Sequence, residues 1–345
     1  MNSPFPNNKI IARQSYLNEN LHALADQYDR TFNYLRLSIT DACNYRCNYC
    51  LPDGYQCTNK NTPLTLDEIT NLVTIMAKKG IRKVRITGGE PSVRKDLVDI
   101  IKAIKNIQGI ETVALTTNGY KLDKQIKSWI NAGLDALNVS IDSLNPDKFY
   151  EITGKNRLAE ILNGLELAEQ LNFKHIKINA VLLKQYNYSE FDQFMSWIKH
   201  KPYTIRFIEL METGDNTDYF KANHLSGRVI ENQLMDQGWQ AIKKSANAGP
   251  AIEYSHPDYN GRIGLIMPYS KDFCKSCNRL RVSSQGKLHL CLFGEKGYDL
   301  KPFLSAANHQ HLDSVLDQTI GFKQQGHDLS NHKTGSTRHL AMLGG

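Results

Sequence analysis

Between Tyr34 and Leu210 the apolar residues switch back and forth between two spacings, and this rhythm limits the fold more than any other feature of the chain. Short runs of aliphatic and β-branched residues read as strands: Tyr34–Thr40, Val84–Thr87, Val113–Thr116, Ala136–Ile141, Ile176–Leu182 and Ile205–Leu210. Helical spacing fills the intervals, as in Leu66, Ile69, Val73 and Met76, in Leu97, Ile100, Ile101 and Ile104, and in Leu158, Ile161, Leu162 and Leu165. Thr65 and Glu68 have the form of a capping box ahead of the first helix, and Gly80, Gly109 and Gly133 stand where helices stop. Repeated strand–helix units imply an α/β fold with a parallel sheet covered by helices. A complete eight-unit barrel takes about 250 residues. Six units in a shorter stretch suggest an incomplete barrel or a doubly wound sheet, and of the two we expect the incomplete (β/α)6 barrel of the TIM type.

In such folds sites lie at the carboxyl ends of the strands. Polar stretches sit at those ends: Thr40–Cys43, Thr87–Pro91, Thr116–Gly119, Ser140–Ser143 and Glu209–Glu212. The expected organisation is a polar N-terminal extension over 1–30, the partial barrel over 31–222 and a C-terminal module over 223–345. In that last part Gly, Pro, His and Asn become frequent between 245 and 262, and short strand candidates follow at Ile263–Met267 and Lys287–Leu292. No apolar run approaches the roughly 18 residues of a membrane helix, and residues 1–30 lack the apolar centre of a signal peptide. The expectation is a cytoplasmic protein with no membrane partner. The net charge of +7 reads either as a solvated basic surface or as a pocket for an anionic substrate. No run of five like charges marks a nucleic-acid tract.

Of the seven cysteines, Cys43, Cys47 and Cys50 form one group, Cys274, Cys277 and Cys291 a second, and Cys57 stands apart. An odd number in two clusters argues for metal in a reducing compartment rather than for a disulfide framework. Three thiolates are one short of a closed four-ligand site, and an open position is where chemistry happens. Spacing alone leaves zinc open at both places: Cys57 could complete the first group, and His256 or His289 the second.

The spacing Cys43-x3-Cys47-x2-Cys50 follows the first strand, with the aromatic Tyr49 before its last cysteine, and Gly88-Gly89-Glu90-Pro91 follows the next strand. Together these motifs resemble those of the radical S-adenosylmethionine (SAM) enzymes. The resemblance implies a 4Fe–4S cluster on the three cysteines, with SAM on the open iron. It implies SAM contacts from Tyr49, Gly89, Glu90, Thr116, Ser140 and Met211, with the Glu90 carboxylate placed to meet the methionine ammonium.

The surroundings of the second group, Phe273–Arg281 and Ser283–Phe293, resemble the GTP 3′,8-cyclases, a family that begins molybdenum cofactor synthesis; the resemblance runs from about Thr31 to Gly345. It implies a second 4Fe–4S cluster whose open iron faces the guanine of GTP. It implies an essential arginine at Arg36, an arginine pair at Arg279 and Arg281, and further substrate contacts from Lys83, Arg85, Lys177 and Arg206. The terminal Gly344 and Gly345 would enter the active site. Implied partners are GTP, an external electron donor and a downstream cyclic pyranopterin monophosphate synthase, with no nucleic acid, in a monomer or homodimer. Cys57 matches no ligand and is expected to be a free thiol. The competing readings are a radical SAM enzyme with one auxiliary cluster acting on a peptide or tRNA, and a zinc-stabilised nucleic-acid-binding protein.

Overall fold

All six expected strands form and pair in sequence order. In the computed structural model, which describes residues 23–56, 62–244, 248–305 and 309–343, β1 (Tyr34–Ser38), β2 (Lys83–Thr87), β3 (Thr112–Thr117), β4 (Ala136–Ser140), β5 (Ile176–Leu182) and β6 (Thr204–Glu209) make parallel ladders. The helices α1 (Leu66–Lys78), α2 (Leu97–Lys105), α3 (Leu122–Asn131), α4 (Pro146–Thr153), α5 (Leu158–Gln170) and α6 (Phe191–Lys199) occupy the connections. The capping box of α1 is realised: Glu68 N–H donates to Thr65 Oγ1 at 3.2 Å, and Thr65 N–H to Glu68 Oε2 at 2.8 Å.

The later part of the chain joins the same sheet. β9 (Arg262–Ile266) pairs parallel with β6, and β10 (Arg279–Val282) pairs parallel with β1. Antiparallel strands extend the two edges, β8 (Ile252–Ser255) and β7 (Gln240–Ala241) beyond β9, β11 (Lys287–His289) and β12 (Tyr298–Asp299) beyond β10. Among the described residues the order is β12-β11-β10-β1-β2-β3-β4-β5-β6-β9-β8-β7, an open sheet that makes a partial barrel. The eight parallel strands exceed the six expected because two come from opposite edges of the later region. A parallel neighbour requires a crossover, so the chain from β9 to β10 must cross the barrel's open side, and it carries Cys274 and Cys277 with it.

Alternation along each strand separates two faces. Leu35, Leu37 and Ile39 are fully buried towards the helices, each worth about 1.5–3 kcal/mol. The intervening Tyr34, Arg36 and Ser38 point the other way. A closed barrel fills that interior with branched aliphatic side chains. Here the inner face carries arginines, lysines and asparagines around a cavity, so the interior is a site.

Packing begins before Thr31. Leu24 and Phe32 are buried in the main core, and a bridge pairs Ala25 with Thr31. Among the described residues no helix is long and apolar enough to cross a membrane.

Candidate active site

Cys43, Cys47 and Cys50 sit on the loop after β1 and line a cavity of about 910 Å³, counted out to its mouth. Backbone contact with the loop after β2 sets the shape of this cysteine loop: Gly89 N–H donates to Thr40 O at 2.9 Å and Glu90 N–H to Ala42 O at 2.8 Å. The approach leaves no room for a side chain. A Cβ at Gly88 would fall 2.3 Å from Thr40 O, and one at Gly89 would fall 2.4 Å from Ala42 O. The glycines therefore position the thiols as well as opening the cavity.

Glu90, expected to meet the methionine ammonium, is bonded within the protein. Its side chain is fully buried, and Oε1 accepts from Thr117 Oγ1 at 2.7 Å and Ser92 N–H at 2.9 Å, while Oε2 accepts from Asn118 N–H at 2.6 Å. The carboxylate thus ties the glycine loop to the turn after β3, where the Asn118 amide lies 4.0 Å from Cys43 Sγ. Gly89, Thr116, Ser140, Met211 and Tyr49 all line the cavity. The Tyr49 hydroxyl donates to Asp142 Oδ2 at 3.0 Å, and Asp142 Oδ1 accepts from Val181 N–H at 2.8 Å. Burial raises the Asp142 carboxyl to about 6.

Burial also pushes the Cys43 thiol up to about 11 and the Cys50 thiol up to about 12, and Cys47 well above its ordinary range. N–H groups of Tyr45 and Asn44 at Cys43, and of Ala341 and Leu340 at Cys50, act the other way. Buried sulfurs supplied with N–H donors suit metal-bound thiolates, whose charge such donors stabilise. Among the described residues no three His, Cys, Asp or Glu side chains stand close enough to share one metal ion.

Cys274, Cys277 and Cys291 line a second cavity, of about 1060 Å³ to its mouth. Asn179, Ile208 and Met211 line both cavities, so the two adjoin. Sheet register builds the cationic wall of the second. Arg36 on β1 is in register with Arg281 on β10 and with Arg85 on β2, and like charges side by side on neighbouring strands repel. Burial, then Arg281, holds Arg36 well below the ordinary arginine range. Burial and Arg279 bring Arg281 down to about 10, and burial and Arg85 do the same for Arg206. Lys177 donates to Glu253 Oε1 at 2.5 Å, and Arg206 Nη2 lies 4.0 Å from the same oxygen. All the basic residues expected at the substrate, except Lys177, line this cavity: Arg36, Lys83, Arg85, Arg206, Arg279 and Arg281. Lys177 stands beside it through Glu253 and Arg206.

Several residues here carried no signal in the sequence. Tyr34 lies beneath the cations, with its hydroxyl accepting from Arg85 Nε and its ring 5.2 Å from Lys83 Nζ. Burial alone would raise its phenol, but Arg85, Arg36 and Lys83 bring it down to about 7. Among the described residues, the buried side-chain oxygens of Asn138 and Asn179 and the buried Nε of Arg206 have no hydrogen-bond partner. Lys323, from near the end of the chain, donates to Leu290 O; with Arg279 it brings the Cys277 thiol down to about 7 against burial. Asparagines on a strand and a lone lysine become legible only when the strands are assembled.

Neither histidine proposed as a zinc ligand lines the second cavity. His256 packs against Trp239 and Tyr259, and His289 stands in register with Arg281 on the neighbouring strand. Gly344, Gly345 and Cys57 lie outside the described residues. The chain before those glycines runs between the two triads: Leu340 and Ala341 reach Cys50, and Leu343 O accepts from Arg281 Nη1 at 3.3 Å.

The Radical SAM superfamily description matches residues 37–198, and that of Molybdenum Cofactor Synthesis C matches residues 203–329. A GTP 3′,8-cyclase of Shewanella denitrificans is 53% identical over 327 residues, covering 94% of this chain and 97% of that protein. Another, of Psychromonas ingrahamii, is 52% identical over 323 residues, covering 93% and 95%. Among solved structures, Streptococcus suis SuiB bound to S-adenosylmethionine superposes with a TM-score of 0.59 over 90% of this chain and 71% of that one. At 14% identity this likeness concerns the fold alone. With half its residues shared along nearly its whole length, the chain belongs to the GTP 3′,8-cyclase family of the radical SAM superfamily, membership that implies a 4Fe–4S cluster and SAM.

Proposed function

We propose that this chain is itself a GTP 3′,8-cyclase, converting GTP to 3′,8-cyclo-GTP at the start of molybdenum cofactor synthesis. The observation that carries the reading is the in-register row Arg281, Arg36 and Arg85, which faces a cavity shared with the second cysteine triad. Adjacent buried guanidiniums repel unless an anion lies between them, and a triphosphate carries about four negative charges suited to bidentate contacts. The unpartnered oxygens of Asn138 and Asn179 support a polar ligand, since each such group costs about 1–3 kcal/mol until it is satisfied.

Cys43, Cys47 and Cys50 would hold one 4Fe–4S cluster, and Cys274, Cys277 and Cys291 a second. With SAM bound, the first would supply the electron chemistry that breaks a carbon–sulfur bond of SAM. The chain's own residues do the rest. Tyr49, Gly89, Thr116, Ser140 and Met211 line the space for SAM, and Glu90 holds the glycine loop in place. Lys83, Arg85, Lys177 and Arg206 hold the triphosphate. Arg36, Arg279 and Arg281 stand by the second triad and hold the triphosphate as well, while the second cluster would position the guanine. The wall of Ile208, Leu290, Leu292 and Phe293 keeps water from a reactive centre. Orientation is the main requirement, because the product joins the ribose 3′ carbon to carbon eight of the guanine.

An external donor supplies the electron, and a separate cyclic pyranopterin monophosphate synthase takes the product. The six described cysteines are free thiols, as the reducing cytoplasm favours. The test is product analysis after anaerobic incubation of the reconstituted chain with GTP, SAM and dithionite. Formation of 3′,8-cyclo-GTP with 5′-deoxyadenosine is expected. SAM cleavage without consumption of GTP would reject the cyclase reading and leave a radical SAM enzyme for another substrate.

A further inference from the structure

The polar stretch ahead of β1 contains a side chain that reaches the second cysteine triad. Arg30 is buried, with 6% of its side chain exposed, and it pairs with Asp26, whose side chain is fully buried. Arg30 Nε donates to Asp26 Oδ2 at 2.7 Å, and Nη2 lies 2.6 Å from the same oxygen. Nη1 donates to the carbonyls of Cys274 at 3.1 Å and Gln325 at 2.7 Å, and Nη2 donates to Gln324 O at 2.6 Å. Four of the guanidinium's five N–H groups donate in these bonds, and the Nη2 contact completes the ion pair with Asp26. Asp26 is itself fixed, since its Oδ1 accepts from the N–H groups of Tyr28 at 3.0 Å and Arg30 at 3.1 Å.

These carbonyls flank one thiol. The Cys274 carbonyl also accepts from Cys277 N–H at 3.2 Å, so Arg30 grips the turn that presents both sulfurs. Gln324 and Gln325 lead into His327, whose backbone N–H donates to the Cys274 thiol. Arg30 therefore holds Cys274 from two sides, through its own backbone and through the segment that supplies its N–H donor. A planar fork can meet one carboxylate and three carbonyls at once; a lysine ammonium, with three donors on one atom, cannot.

We infer that Arg30, oriented by Asp26, is a positioning residue for the second cysteine triad: it sets Cys274 for a metal group and through it the placement of substrate, without touching substrate. This rests on the proposed second cluster. Outer partners of this kind orient ligands and tune the sulfurs they hold.

The test uses the full chain, reconstituted anaerobically, as parent, R30A, R30K and D26N. Iron content, the electron paramagnetic resonance signal of the reduced protein with and without GTP, and SAM cleavage are measured side by side. The parent should hold about eight irons and show a GTP-dependent signal. R30A should fall towards about four irons, lose the GTP-dependent signal and still cleave SAM, which shows the barrel intact. R30K should resemble R30A, and D26N should weaken iron retention at the second site by about tenfold. The inference is overturned if R30A keeps the parent's iron and GTP response. It is also overturned if R30A loses both iron sites and SAM cleavage together, since Arg30 would then support the whole fold. A parent with about four irons and no GTP response would reject the two-cluster reading and this inference with it.

Discussion

Lys177 should make GTP binding pH-dependent around pH 8. Burial lowers its ammonium from the ordinary 10.5, the neighbouring Arg206 lowers it further, and Glu253 at 2.5 Å partly restores it, leaving it at about 8. The sign follows directly. A triphosphate prefers the protonated lysine, so affinity is full below pH 8 and declines as pH rises through it. With a titration at about 8, roughly 90% of chains carry the charge at pH 7.0 and roughly 25% at pH 8.5, so apparent affinity should fall about fourfold. At higher pH the loss is bounded by the worth of one charge-assisted contact, about 1.5–3 kcal/mol or roughly 10- to 150-fold. The assay is the equilibrium dissociation constant for GTP, measured anaerobically on the reconstituted chain without reductant between pH 7.0 and 8.5. K177R is the control, because arginine stays charged throughout and any residual trend belongs to GTP or to other groups of the cavity such as Tyr34. Parallel pH profiles for the parent and K177R would refute the assignment of Lys177 to the phosphate site.

Replacing Glu253 with Gln removes the anion that holds Lys177 protonated, so the midpoint of the GTP pH profile should move below that of the parent; an unmoved midpoint would show that Glu253 does not set the lysine's charge. Gly89→Ala places a carbon 2.4 Å from Ala42 O, so iron at the first triad and SAM cleavage should both be lost while iron at the second triad remains. Normal SAM cleavage by G89A would contradict the packing argument. Deleting Gly344 and Gly345 should leave 5′-deoxyadenosine formation largely intact and abolish 3′,8-cyclo-GTP, as measured by chromatography of the two products; an undiminished cyclic product would remove the tail from the site.

What the sequence determined by itself is local. Alternation at Leu35, Leu37 and Ile39 marks a strand, Thr65 and Glu68 mark a helix start, and the first cysteine motif and the glycine motif each span a few residues, so short-range spacing carried the barrel class and the cysteine groups, and the resemblance of these motifs to those of known enzymes carried the family. The tertiary structure decided whatever depends on residues far apart in the chain. β10 becomes the parallel neighbour of β1 only in the folded chain, and that pairing places Arg281 beside Arg36. Glu90 stands next to the glycines in sequence, yet its bonds to Thr117 and Asn118 come from the following strand. Arg30 reads as the last residue of a polar extension because its partners lie at Cys274, Gln324 and Gln325. Periodicity encodes which face of an element is buried. Register and crossover set which buried charges meet, and they follow from packing the whole chain.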